Sequence, residues 1–235
     1  MTIQRRRTVI LISGRGSNMA SLIDAAADPD FPAEIVGVIS DNADAKGLGI
    51  AASRGIATKV VTRADHASKD AHDQAIDTEL ATFGAEIVAL AGYMRLLTSG
   101  FVEKWQGRMI NIHPALLPSF KGLDTHSRAL EAGIRVHGCT VHFVTPAMDD
   151  GPIIAQAAVP VLIDDDEPTL SARVLKAEHR LYPLALKLFA EGKVRMDGNR
   201  TAFSGFTDAT SQDHIAAPTP AREEIDLEQL ARITP

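Results

Sequence analysis

Asn111-Ile112-His113-Pro114 carries the sharpest chemistry in the sequence. Side chains alternate along an extended chain, so Asn111 and His113 point to the same side. Pro114 keeps His113 extended, because the proline ring crowds the helical conformation of the residue before it. A carboxamide and a protonated imidazole are both donors to an oxygen that gains negative charge. The other reading is a capping asparagine and a half-buried histidine at a turn. Asp149-Asp150-Gly151-Pro152 adds two acids in a loop. A carboxylate brought to His113 would favour the charged ring and make it a competent acid near neutrality; otherwise the pair is a solvated acidic turn. Gly14-Arg15-Gly16-Ser17-Asn18 is a glycine turn whose backbone amides suit a phosphate. Met19 stands where the third glycine of a dinucleotide fingerprint belongs, and no Gly-Lys-Ser/Thr follows. The alternative is a tight turn that binds nothing. Glu178 lies beside an apolar stripe, as a partly desolvated acid for a substrate amine or as a surface charge paired with Lys176 or Arg180.

The elements that must position these groups alternate between strand and helix. Strands are expected at Thr8–Ile12, Glu34–Ser40, Thr58–Val61, Glu86–Ala91, Met109–His113 and Cys139–Thr145, and an extended stretch at Ile153–Ile163. Pro160 favours an edge position or a crossing ribbon for that stretch. Helices are expected at Met19–Ala27, Ala45–Arg54, Lys69–Phe83 and from Pro168 onward, the last kinked by Pro183. This order implies an α/β fold: an open, mainly parallel twisted sheet with helices on both faces. The catalytic candidates then fall at strand C-terminal ends, where such sheets bind ligands. Residues 1–196 read as the enzyme domain and 197–235 as an irregular C-terminal tail. Within it, Gly198–Pro220 is an arm or linker and Ala221–Ile233 a short helix that packs on a neighbouring subunit in a homodimer.

Composition sets outer bounds. Of 235 residues, 45% are hydrophobic and 23% charged, the balance of a packed globule rather than a disordered or collagen-like chain. The net charge of −6 argues against general binding to nucleic acid or a membrane surface. Cys139 is the single cysteine, so no intramolecular disulfide forms, which suits a reducing, cytoplasmic setting. His137 and His142 flank Cys139 at a spacing that matches no common zinc pattern, and His66, His72 and His214 sit in polar sequence; no metal is expected.

Taken together, Ile12-Ser13-Gly14-x-Gly16-Ser17-Asn18, Leu90-Ala91-Gly92-Tyr93-Met94-Arg95-Leu96-Leu97, Asn111-Ile112-His113-Pro114-Ala115-Leu116-Leu117-Pro118, Val141-His142-Phe143-Val144-Thr145, Asp149-x-Gly151-Pro152 and Glu178-His179-x-x-Tyr182-Pro183 resemble the phosphoribosylglycinamide formyltransferases from about Thr8 to Met196. The resemblance implies transfer of a formyl group from 10-formyltetrahydrofolate, a co-substrate, to the amine of glycinamide ribonucleotide in purine synthesis. It implies a catalytic set of Asn111, His113 and Asp149. Gly16, Ser17, Asn18, Leu175, Lys176, Ala177 and Glu178 would contact the ribonucleotide. Lys69, Met94, Arg95, Leu96, Leu97, Asn111, Thr145, Pro146, Ala147, Met148 and Asp149 would contact the folate. It also implies a cis Leu117–Pro118 bond. The chain departs from the family pattern at Ala115 (usually serine), Asp150 (usually glycine) and Lys69 (commonly arginine, whose planar fork suits a carboxylate).

Other readings make different demands. A formyltetrahydrofolate hydrolase expects a further domain ahead of the first strand, where seven residues stand. A methionyl-tRNA formyltransferase expects a larger basic C-terminal domain, whereas this tail holds Glu223, Glu224, Asp226 and Glu228. A non-catalytic nucleotide-binding module would keep phosphate binding without Asn111, His113 or Asp149. A dehydrogenase lacks its third glycine.

Overall fold

The computed structural model describes residues 4–205. Its strands are β1 (Arg6–Ile12), β2 (Ala33–Ser40), β3 (Thr58–Val60), β4 (Ile87–Leu90), β5 (Met109–His113), β6 (Val136–Phe143), β7 (Ile153–Pro160), β8 (Val194–Asp197) and β9 (Arg200–Phe203). Its α-helices are α1 (Ser17–Ala26), α2 (Lys46–Ser53), α3 (Lys69–Thr82), α4 (Ser99–Lys104), α5 (Thr125–Glu131) and α6 (Glu167–Ala190). One seven-stranded sheet runs in the order β3-β2-β1-β4-β5-β6-β7. Pairing is parallel from β3 to β5 and antiparallel for β5–β6 and β6–β7. The expected open, mainly parallel sheet is therefore present, with β7 at its edge.

Alternation along the central strands feeds two cores. Ile10 and Ile12 of β1 join Met19 and Leu22 of α1 and Leu170, Val174, Tyr182 and Phe189 of α6. Val9 and Leu11 turn to the opposite face, against Ile76 and Leu80 of α3 and Phe101 of α4. Both faces being covered explains why β1 reads as an unbroken apolar run. Fully buried Tyr182 donates its hydroxyl to the Leu90 carbonyl at 2.9 Å, with the Ile110 carbonyl at 3.3 Å. It thereby ties α6 to the ends of β4 and β5, beside the catalytic candidates. Helix α6 continues through Pro183 to Ala190.

The strand order reverses at β1 and β4, which opens a crevice at their C-terminal ends. Ser13 and Gly14 follow β1, Ala91 to Leu97 follow β4, and His113 closes β5. All three sets thus reach the same edge. The Leu117–Pro118 bond is cis, as the resemblance implies.

Three expectations need correction. Gly198 begins no linker: β8 and β9 form a hairpin whose turn is Gly198-Asn199, with Gly198 at φ 57°, as a two-residue turn of this kind requires. The division at Asp197 falls inside this hairpin. His72 is not in polar surroundings but 2% exposed, because it shares the inner face of α3 with Ile76 and Leu80; its Nε2 lies 2.8 Å from the Val61 carbonyl. The short helices α4 and α5 add to the elements expected from the sequence. His214 and the expected helix at Ala221–Ile233 lie outside the described residues.

Candidate active site

Gly16 has φ 74° and packs so tightly that a Cβ there would meet the Gly47 Cα at 2.7 Å. Glycine at both positions lets α1 and α2 start side by side, with the Gly47 amide donating to the Gly14 carbonyl at 3.0 Å. Helix α1 begins with no side-chain cap and no acid in its first turn. Its first amide hydrogens have no intrahelical acceptor, the arrangement that suits an anion. Ser13 joins this turn to the neighbouring loop: its Oγ accepts from the Met94 amide at 2.8 Å.

The structure brings Glu178 to Asn18 across the sequence. Asn18 donates from Nδ2 to the Glu178 carboxylate at 2.8 Å, so neither Lys176 nor Arg180 is its partner. Glu178 is 6% exposed. Burial pushes its carboxyl above the ordinary range, and the Asn18 bond pulls it back less strongly. The unfolded chain therefore ionises first as pH rises, and the folded state loses stability through and above the ordinary carboxylate range. Glu178→Gln keeps the acceptor for Asn18 without the buried charge. It should raise the melting temperature by a few degrees at pH 8 and not at pH 4; an equal gain at both values would contradict the buried charge. Leu175 is half-buried one turn before Glu178. Lys176 and Ala177 are not brought to Asn18: they line a separate groove between α6 and β7 with Arg173 and Arg180.

A second cavity, of about 250 Å³, opens at the ends of β4 and β5. Met94, Arg95, Leu96 and Leu97 form one wall and Thr145, Pro146, Ala147, Met148 and Asp149 the other, with Asn111 and His113 at its base. It is smaller than the roughly 300–1,000 Å³ clefts that enclose whole ligands. Its rim exposes Met94, Leu96, Leu123 and Met148. Arg95 pairs through Nε with the buried Asp41 carboxylate at 2.8 Å. Lys69 stands exposed in the first turn of α3 and is not part of the cavity wall.

The three catalytic candidates converge. The Asp149 carboxylate lies 3.4 Å from His113 Nδ1 and accepts from the Gly122 amide at 2.9 Å. His113 Nε2 is 2.9 Å from the Phe120 carbonyl. Both ring nitrogens thus face oxygen acceptors, and only the doubly protonated, charged ring donates to both. A hydrogen on Nε2 is held by the Phe120 carbonyl, whereas Nδ1 and the Asp149 carboxylate lie farther apart than an ordinary hydrogen bond. Asp150 does not crowd Asp149, because its own carboxylate is engaged by the Lys121 ammonium.

His142 belongs to this cluster and was missed in the sequence. It lies directly across from Asn111 in the β5–β6 register. Its Nδ1 donates to the Phe143 carbonyl at 2.8 Å, which leaves Nε2 as acceptor for Asn111 Nδ2 at 3.3 Å. Burial above all pushes the His142 ring down, so it stays neutral and able to accept. The asparagine amide is thereby turned with one N–H anchored and the other free toward the cavity. Only the cross-strand register reveals this, and no spacing in the sequence encodes it. The remaining buried histidine here, His137, is pushed down to about 4 by burial first and by His126 second, and stays neutral. Among the described residues no group of three or more His, Cys, Asp or Glu is placed to hold a metal ion, and no helix is long and apolar enough to cross a membrane.

A model of the formyl transferase family matches residues 6–186. The trifunctional purine biosynthetic protein adenosine-3 of Bos taurus is 50% identical over 196 residues, 83% of this chain. The chain spans 19% of that relative's length. The phosphoribosylglycinamide formyltransferase of Escherichia coli K12 is 43% identical over 197 residues, covering 84% of this chain and 93% of its own. The crystal structure of phosphoribosylglycinamide formyltransferase from Brucella melitensis is 61% identical, with a TM-score of 0.77 over 79% of this chain and 96% of that one.

Proposed function

The chain belongs to the formyl transferase family, and from that premise we propose that it transfers the formyl group of 10-formyltetrahydrofolate to the primary amine of glycinamide ribonucleotide, a step of purine synthesis. The observation that carries this reading is the convergence of Asn111, His113 and Asp149 at the base of a cavity whose wall is tied through Ser13 to the glycine turn. Two small molecules can then meet there: the folate in the cavity and the ribonucleotide along Gly16–Asn18, with its phosphate at the start of α1.

The amine attacks the formyl carbon directly, so a C–N bond forms while the carbonyl electrons move onto oxygen. The free N–H of Asn111 and the Nδ1–H of a charged His113, which Asp149 at 3.4 Å does not hold in an ordinary hydrogen bond, stabilise that oxygen; one such donor is worth roughly 10²–10³ in turnover. The bond to the folate nitrogen then breaks. That nitrogen takes a proton while the attacking amine loses one, through the His113–Asp149 pair. Holding both reactants together supplies much of the remaining acceleration. No metal or further cofactor enters this scheme, and the setting is cytoplasmic with both substrates small molecules.

The reading is tested by mixing the protein with both substrates. The expected result is the absorbance change of tetrahydrofolate release, together with a ribonucleotide heavier by one formyl group. The same absorbance change without ribonucleotide would mean hydrolysis, and phosphate binding with no absorbance change would mean a binding module; either overturns it.

A further inference from the structure

We propose that Lys121 and Asp150 are positioning residues, whose ion pair latches together the two loops that grip His113. This rests on the formyl-transfer reading above only for its kinetic consequences. The two groups gripping the His113 ring are the Phe120 carbonyl at Nε2 and the Asp149 carboxylate at Nδ1. Each is one residue away from a member of the pair: Phe120 precedes Lys121, and Asp149 precedes Asp150. The Lys121 ammonium and Asp150 carboxylate are in direct contact.

Backbone conformation shows what the pair holds in place. Among the described residues, the non-glycine positions with positive φ are Phe120 (54°), Asp124 (55°) and Asp149 (49°). Two of the three are the residues that grip His113. An L-residue occupies this left-handed region at a cost and stays there only where surrounding contacts over-determine it. Three contacts do so here besides the ion pair. The Gly122 amide donates to Asp149. Arg128 Nη1 donates to the Lys121 carbonyl at 2.7 Å, and its guanidinium lies 5.6 Å from the centre of the Phe120 ring. Only the ion pair and the Gly122 bond run from one loop to the other. The Lys121 and Asp150 side chains are 36% and 55% exposed, so the latch is screened by salt and its effect is modest.

The test compares Lys121→Met, Asp150→Asn and the exchanged pair Lys121→Asp with Asp150→Lys. Each single variant should lower kcat about three- to five-fold, the reach of a half-exposed ion pair, with KM for both substrates little changed. The exchanged pair should recover most of the loss. High salt should bring wild-type kcat toward that of the single variants and leave theirs in place. In a sample with ¹⁵N-labelled histidine, the His113 ring signals should move in both single variants and return in the exchanged pair. Single variants with wild-type kcat and unmoved His113 signals, or a loss that the exchange does not recover, would overturn the latch. If the wild-type protein transfers no formyl group, the functional reading fails instead, and the ¹⁵N signals still decide the latch.

Discussion

His113→Ala is expected to lower kcat by about 10²–10³ while KM for each substrate stays within a few-fold. The split follows from what the ring touches. His113 is 5% exposed at the base of the cavity and is held by Phe120 and Asp149. On the proposed mechanism it stabilises charge that exists only once the amine has attacked, so its loss falls on the transition state rather than on either ground state. The substitution also leaves a small cavity, and a moderate fall in melting temperature is expected with it. Steady-state kinetics on protein verified as folded separates the two effects. An unchanged kcat, or a loss confined to KM, would remove His113 from the chemistry.

Asp149→Asn is the second large effect, a fall in kcat of about 10²–10⁴, the range set by removing an acid–base partner. The variant isolates charge from shape. An asparagine oxygen still accepts from the Gly122 amide, so the loop between Thr145 and Pro152 keeps this tether as well as the Lys121–Asp150 pair. What disappears is the negative charge 3.4 Å from His113 Nδ1. Without it the ring loses the charged oxygen that faces Nδ1. Measured kcat and KM for both substrates check this. A variant with wild-type turnover would show that the charge facing His113 is idle.

Much of this site was legible in one dimension, for identifiable reasons. The period of two that puts Asn111 and His113 on one side is a property of the strand itself, and Pro114 guards it. The glycines at 14 and 16 mark a turn that must lie between strand and helix. Other parts depend on what crosses between elements. His142 acquires its role from lying opposite Asn111 in an antiparallel pair. The Phe120 carbonyl is a backbone group with no side-chain signature. The resemblance alone places Lys176 at the ribonucleotide; the structure shows its side chain lining the groove beside β7, since neighbouring residues on a helix face different ways. The helices α4 and α5 span six and seven residues, too short for an apolar period to emerge. The β8–β9 hairpin differs from these, since Gly198-Asn199 between two extended segments is a recognised turn signal, outweighed by the Thr, Ser, Ala and Pro that follow.

The most direct measurement is the turnover of the double variant His113→Ala with Asp149→Asn. If ring and carboxylate act as one unit on one proton, the double variant loses little more than the worse single variant. If instead the two losses multiply, the residues work independently, and the coupled pair at the base of the cavity is not what drives the transfer.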